Sequence, residues 1–399
     1  MLDGVRVVEM GLWVAGPASA GILADWGADV VKIEAPAGDP MRSFFQLATG
    51  SKVDRNPPFD LDNRGKRSVA LDVRLPEGRD AAYRLLASAD VFVTNMRPDA
   101  LARLGFDPDT LTARFPRLVY ASITGYGRTG PDADRPGYDV GAFWARAGVA
   151  STLTPEGAAP PQIRGGFGDH VTAVTTVAGI LAALYERERS GRGRVVETSL
   201  LRTGAYCLGW DLGIQLAFDK IKPPVARTDV ETPLVNCYRA GCGRWFWLIG
   251  LEADRHFPGV ARAIAREDLL ADPRFATARE RRRHCRETIA ELDAAFATRP
   301  LAKWAEAFDR EGVWWAPVQS LEDLTRDPQA AAAGVFVAQP TRDGGTQRAV
   351  ASPVAFGGAS AAPAKPVPAL GEHTEAVLRE AGCDDAVLAA LRAAGAIKG

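Results

Sequence analysis

Two β-branched runs flank one helical stretch within the first 34 residues, and this opening limits the architectures open to the chain. Val5 to Met10 reads as a strand running into a turn at Gly11, with Gly16-Pro17 close behind. Pro17 suits a first helical position, Ala18, Ile22, Leu23 and Trp26 follow at helical spacing, and Gly27 serves as a stop. Asp29 to Glu34 is a second strand. Strand, helix and strand within about 30 residues make a βαβ unit, whose crossover favours parallel pairing. Further runs at Val91 to Thr94 and Leu118 to Ile123, with helical stretches at Gly78 to Ala87 and Pro98 to Leu104, continue the alternation. The first half therefore predicts an open α/β sheet.

From Asp169 to Arg189, Val171, Val174, Val177, Ile180, Leu181 and Leu184 recur at helical spacing before Gly191, which predicts a long helix. Val195 to Leu200 returns to strand character. Then the texture changes. Leu234 to Tyr238 and Trp245 to Gly250 around Ala240-Gly241-Cys242-Gly243 predict an antiparallel hairpin, and Arg-rich helical segments follow from Glu252 to Ala297. Gly357 to Leu370, rich in Ala and Pro, reads as extended surface chain.

At 399 residues the chain is long enough for two folded units. Its 48 basic and 49 acidic side chains give a net charge of -1, which argues against a nucleic-acid partner. The five cysteines form no close pair and read as reduced, and no ligand set for a metal is apparent. No basic leader precedes an apolar run, and no window approaches the ~20 residues of a membrane span, so the expectation is a cytoplasmic protein without a membrane partner.

Glu34, closing the second strand, stands where an acid can hold a ribose hydroxyl, but the turn reads Gly11-Leu12-Trp13-Val14-Ala15-Gly16 and lacks G-x-G-x-x-G. Basic loops at 63–67 and Asn95-Met96-Arg97-Pro98, with Arg103 beyond, are either phosphate clamps or solvated surface. Gly165-Gly166-Phe167-Gly168-Asp169-His170 is the most informative segment. Its glycines allow close approach of a ligand, and Asp169 at a helix start is an N-cap, a nucleophile kept ionised by the helix N-terminus, or both. His170 is a possible base or a packing group.

These segments resemble the class III coenzyme A transferases, the group that includes formyl-CoA transferase and carnitine CoA-transferase. The resemblance rests on an ordered set: residues 2–7, Ala15-Gly16-Pro17, residues 27–34, residues 63–68, Asn95-Met96-Arg97-Pro98, Gly125-Tyr126-Gly127, Gly168-Asp169, Gly191-Arg192-Gly193, Asp272-Pro273-Arg274-Phe275 and residues 370–374. It implies a Rossmann-like open parallel sheet in a discontinuous large domain, 1–220 plus 330–399, with a smaller α+β domain at 225–325, in an intertwined homodimer. It implies an acyl-CoA:carboxylate CoA-transferase with Asp169 as nucleophile, acyl-CoA donor and carboxylic acid acceptor as substrates, and no permanently bound cofactor. Coenzyme A contacts would fall on Trp13, Val14, Ala15, Leu71, Arg74, Asn95, Met96, Arg103, Leu104, Arg135 and Leu200. Tyr138, Asp139, Gly166, Gly168 and His170 would support the substrate. Two departures stand out: Ala35 occupies the place of a basic residue that some members carry, and the glycine-rich loop of formyl-CoA transferase has no counterpart before Pro233. The related 2-methylacyl-CoA racemases resemble Gly-His-Asp where this chain has Gly137-Tyr138-Asp139, which places transfer ahead of racemisation, with an NAD-dependent oxidoreductase or a silent acyl-CoA binder as further alternatives.

Overall fold

A computed structural model of the protein describes residues 1–50, 55–361, 363 and 365–398. The sequence alternation becomes β1 (Arg6–Met10), α1 (Ala15–Asp25), β2 (Asp29–Glu34), α2 (Met41–Thr49), α3 (Pro57–Asn63), β3 (Arg67–Ala70), α4 (Pro76–Leu86), β4 (Val91–Thr94), α5 (Pro98–Leu104), α6 (Pro108–Arg114) and β5 (Val119–Thr124). A π-helical turn at Val140–Arg146, α7 (Val149–Thr152), α8 (Phe167–Ser190), β6 (Val195–Ser199), α9 (Leu200–Cys207) and α10 (Gly209–Phe218) follow. The six strands pair in parallel in the order β3-β2-β1-β4-β5-β6. This is a doubly wound α/β sheet.

Alternation along the strands divides the core between the two faces. Val8, Val31, Phe92 and Tyr120 point to one side, where α4, α5, α6 and the C-terminal helices Thr374–Glu380 and Asp385–Ala393 supply Leu86, Leu101, Leu111, Leu378 and Leu388. Val7, Val30, Val91, Val93 and Val119 point to the other, against Leu23 of α1 and Val177 and Ile180 of α8. Covered on both faces, β4 and β5 are buried at every position, which is why they read as unbroken apolar runs. Burying one such side chain contributes about 1.5–3 kcal/mol before entropy is counted.

Helix α8 is also long and apolar enough to cross a membrane by length and composition, against the expectation that no window approaches a span. Its Val177, Ile180 and Ala183 lie in the second core, so sheet packing accounts for its apolar character.

The chain divides into two compact units, 1–150 with 162–221 and 329–399, and 151–161 with 222–328. The second carries β7 (Val235–Arg239), β8 (Trp245–Ile249) and β9 (Trp315–Pro317) in one antiparallel sheet, with α11 (Ala253–Ala263), α12 (Asp268–Ala271), α13 (Ala278–Arg283), α14 (Cys285–Phe296) and α15 (Leu301–Glu311). Its centre is aromatic: Phe296 lies 5.0 Å from Phe246 and 5.1 Å from Tyr238, ring centre to ring centre. Of the stretch Gly357 to Leu370, positions 362 and 364 lie outside the described residues, and Ala355–Phe356 and Ala359–Ser360 form a short hairpin at its start.

Candidate active site

The strand order reverses between β1 and β4, and in such sheets ligands bind beyond the carboxyl ends of the strands at that reversal. The turn after β1 and the turn after β4 are tied together there. Asn95 accepts from the Leu12 N–H at 2.9 Å and donates through Nδ2 to the Leu12 carbonyl at 2.7 Å. Trp13 follows at φ 64°, in the left-handed region that a bulky residue seldom occupies. Its indole meets Phe44 and Tyr138 edge-on, with ring centres 5.5 and 5.8 Å apart. Val14 closes the turn and Ala15 begins α1.

The start of α8 abuts this turn. Val14 Cγ1 lies 3.6 Å from where a Cβ on Gly166 would stand. Gly166 is the N-cap, at φ 77°, and no side chain caps the helix, so Asp169 is not the N-cap that its position allowed. A Cβ at Gly168 would stand 2.6 Å from the Phe143 ring, which makes glycine a steric requirement there. Asp139 sits beside this start, buried, accepting from its own neighbour Val140 N–H through Oδ1, while its Oδ2 has no partner among the described residues. The π-helical turn begins at that point, an irregularity common at functional sites.

Burial first, and the Asp139 carboxylate second, push the Asp169 pKa up to about 7. The helix N-terminus does not keep the group fully ionised at neutral pH, because desolvation and a like charge outweigh it. His170 turns to Asp62 on α3, Nε2 to Oδ1 at 3.0 Å. Burial opposes its charge, but the Asp62 partner raises its pKa above the usual imidazole value.

Other residues expected at the site are dispersed around the same strand ends. Leu71 is buried in the first core and Met96 packs at its edge. Arg74 is exposed and paired with Asp72 at 2.6 Å; Arg103 and Leu104 end α5; Arg135 reaches Asp132 at 3.4 Å; Leu200 opens α9. Tyr138 is exposed. Neither reading of the basic loop at 63–67 holds. Arg64 pairs with buried Asp25, Lys66 with buried Glu9, and Arg67 with Asp29, so the loop is neither a phosphate clamp nor a solvated surface. Glu34 is buried too, gripped by Arg42 Nε and Nη2 at 2.7 Å each and by Ser68 Oγ. It has no face left for a ribose.

What sequence reasoning passed over is the buried ionic group beneath the turn. Lys32 binds Glu9 at 2.7 Å, Asp39 at 3.1 Å and the Gly11 carbonyl at 3.0 Å. Lys66 binds Glu9 at 2.6 Å, the Pro17 carbonyl at 2.8 Å and Asn63. Burial, then the like charge of Lys32, lowers the Lys66 pKa to about 8, whereas Lys32, though buried, is held up to about 12 by Glu9 and Asp39. The signal was present: Glu9 stands between Val8 and Met10, and Lys32 between Val31 and Ile33, each a charge inside a strand with apolar neighbours on both sides. No cluster of three metal-ligating side chains occurs among the described residues.

Against known proteins, residues 2–374 match the model of CoA-transferase family III. The chain is 33% identical over 386 residues to a (R)-2-hydroxy-4-methylpentanoate CoA-transferase of Clostridioides difficile, covering 96% of each. It is 33% identical over 388 residues to a cinnamoyl-CoA:phenyllactate CoA-transferase of Clostridium sporogenes, covering 96% of this chain and 93% of the relative. A crystal structure of a CAIB/BAIF family protein from Brucella suis superposes with a TM-score of 0.83 at 30% identity, covering 95% of this chain and 99% of that one. A doubly wound sheet with a tightened first turn, and a match that runs nearly from end to end, lead to one assignment: the chain belongs to CoA-transferase family III and is a CoA-transferase.

Proposed function

We propose that the protein moves coenzyme A from an acyl-CoA to a free carboxylic acid through covalent intermediates on Asp169. The observation that carries this reading is a half-buried carboxylate at the first turn of α8, beside Asp139 and the turn that follows β1. The ionised Asp169 carboxylate attacks the thioester carbonyl, the C–S bond breaks, and coenzyme A leaves as thiolate with an acyl-aspartyl anhydride behind. The thiolate attacks the aspartyl carbonyl of the anhydride, releasing the donor acid as its carboxylate and leaving an aspartyl-CoA thioester. The acceptor carboxylate then attacks that thioester, and the same two steps in reverse yield the new acyl-CoA and free Asp169. No net proton, electron or water is consumed. Dividing one exchange into such steps is the gain of covalent catalysis, and N–H groups of the α8 first turn stabilise the oxyanion at each attack.

The aromatic surfaces of Trp13, Phe44 and Tyr138 close to Asp139 support an acyl group with a bulky apolar side chain. The two clostridial relatives named for 2-hydroxy-4-methylpentanoate and phenyllactate point the same way. The test is exchange of labelled coenzyme A against a panel of acids, with hydroxylamine added to trap the acyl-enzyme. Wild type forms a hydroxamate at Asp169 and Asp169→Ala forms none, with exchange reduced by at least about 10³-fold. Full exchange in Asp169→Ala refutes the mechanism, and deuterium entering the α-carbon without acceptor indicates racemisation instead.

A further inference from the structure

The left-handed Trp13 carries the clearest unexplained cost in the molecule. Among described residues only Trp13, Asp219 and Ala265 combine a side chain with φ above zero, and Trp13 is the one whose ring faces other aromatic rings. An L-residue in that region is strained, and such strain persists only where surrounding structure imposes it.

The imposing contacts can be named. Asp39 Oδ1 accepts from the Trp13 N–H at 3.1 Å and from the Met41 N–H at 3.0 Å, linking the turn to the start of the helix that presents Phe44. Its Oδ2 lies 3.1 Å from Lys32 Nζ, and Lys32 in turn holds the Gly11 carbonyl at 3.0 Å. Asp39 is itself fixed by its own N–H, which donates to Glu34 Oε1 at 3.1 Å. Asp39 and Lys32 are 2% and 0% exposed, so neither meets substrate directly.

We infer that Asp39, anchored by Lys32, is a positioning residue that holds the Trp13 backbone left-handed and its indole between Phe44 and Tyr138, presetting the wall against which the CoA thioester binds. This rests on the proposed function insofar as it takes the turn after β1 to border the thioester. A carboxylate is suited to the role because one oxygen is needed for two backbone N–H groups while the other faces an ammonium. A neutral residue supplies at most one of these.

The experiment is a double-mutant cycle read by calorimetric binding of coenzyme A and by the KM for acyl-CoA. Asp39→Ala weakens binding and raises KM about tenfold, the equivalent of the strain released, with a smaller effect on kcat. Trp13→Gly removes the ring and weakens binding by itself, but glycine adopts the left-handed backbone freely, so in that background Asp39→Ala adds less than about twofold. A purely structural role for Asp39 gives the same tenfold loss in both backgrounds and overturns the inference, as does Asp39→Ala binding coenzyme A like wild type. Asp39→Asn is the second variant, keeping one acceptor but turning an amide towards Lys32, and follows the same cycle with a smaller amplitude if Asp39→Ala does not fold. Wild type failing to bind coenzyme A at all refutes the functional reading itself, a result separate from any in the cycle.

Discussion

At the scale of single residues, the proposed role of Asp169 as nucleophile predicts that its protonation governs the pH response. A nucleophile with a pKa near 7 is half protonated at neutrality, so kcat/KM for acyl-CoA rises with pH through about 7 and levels above 8. Stability runs the other way. The folded protein keeps this proton up to about pH 7, whereas the unfolded chain releases it near 3.8, so folding binds more protons between those values and stability falls as pH rises through them. Asp169→Asn removes this slope, and at pH 8 it is expected to unfold later than wild type by on the order of 1–2 kcal/mol, measured by denaturant titration at pH 5 and 8. Equal slopes for both proteins would show that Asp169 titrates normally. The buried pair beneath the turn is less forgiving: Glu9→Gln leaves Lys32 and Lys66 without their shared carboxylate and is expected to cost about 3–5 kcal/mol in the same assay.

At the scale of elements, the start of α8 is set by one missing methyl group. Gly168→Ala places a Cβ 2.6 Å from Phe143, forcing the helix start or the π-helical turn to shift. The expected cost is about 1–3 kcal/mol in stability, with a larger fractional loss of kcat because Asp169 and Asp139 move apart. Phe143→Ala itself is expected to cost about 3–5 kcal/mol because the ring is buried, but in that background Gly168→Ala should add much less than it does alone, and an undiminished cost would place the clash elsewhere. Most of the sheet was legible because β1, β2, β4 and β5 each place Val, Ile, Met, Phe or Tyr side chains on both faces, even where β1 and β2 also carry buried charges. Strand β3 was not, since Arg67-Ser68-Val69-Ala70 has one large apolar side chain and exists through parallel pairing with β2. Strand β9, three residues long, likewise depends on β8. Helix α3 escaped notice as well: Asn56 caps it and Pro57 starts it, signals weaker than a hydrophobic period.

At the scale of the whole molecule, α10 has no buried residue, and Tyr206, Trp210, Leu216 and Phe218 on α9 and α10 are each at least 75% exposed. Apolar surface so extended is expected at an interface, and the homodimer that the family resemblance implies is the occupant we propose. Light scattering should return twice the 42.6 kDa chain mass for wild type, and Trp210→Asp with Leu216→Asp should shift it towards monomer or aggregate. A wild-type monomer would leave these side chains to another partner. The amino-acid sequence by itself determined the alternation of strand and helix, the long α8, the hairpin of the second unit and the family, because each depends on local periodicity or on an ordered set of short motifs. Tertiary structure alone decided that Arg64 and Lys66 face inward to Asp25 and Glu9, that Glu34 is occupied by Arg42, and that Asp39 reaches Trp13. Those outcomes depend on which charges the fold removes from water together, and pairing across 8 to 57 residues of chain leaves no trace in local spacing: whether a buried charge is tolerated is settled by the partner that folding brings to it.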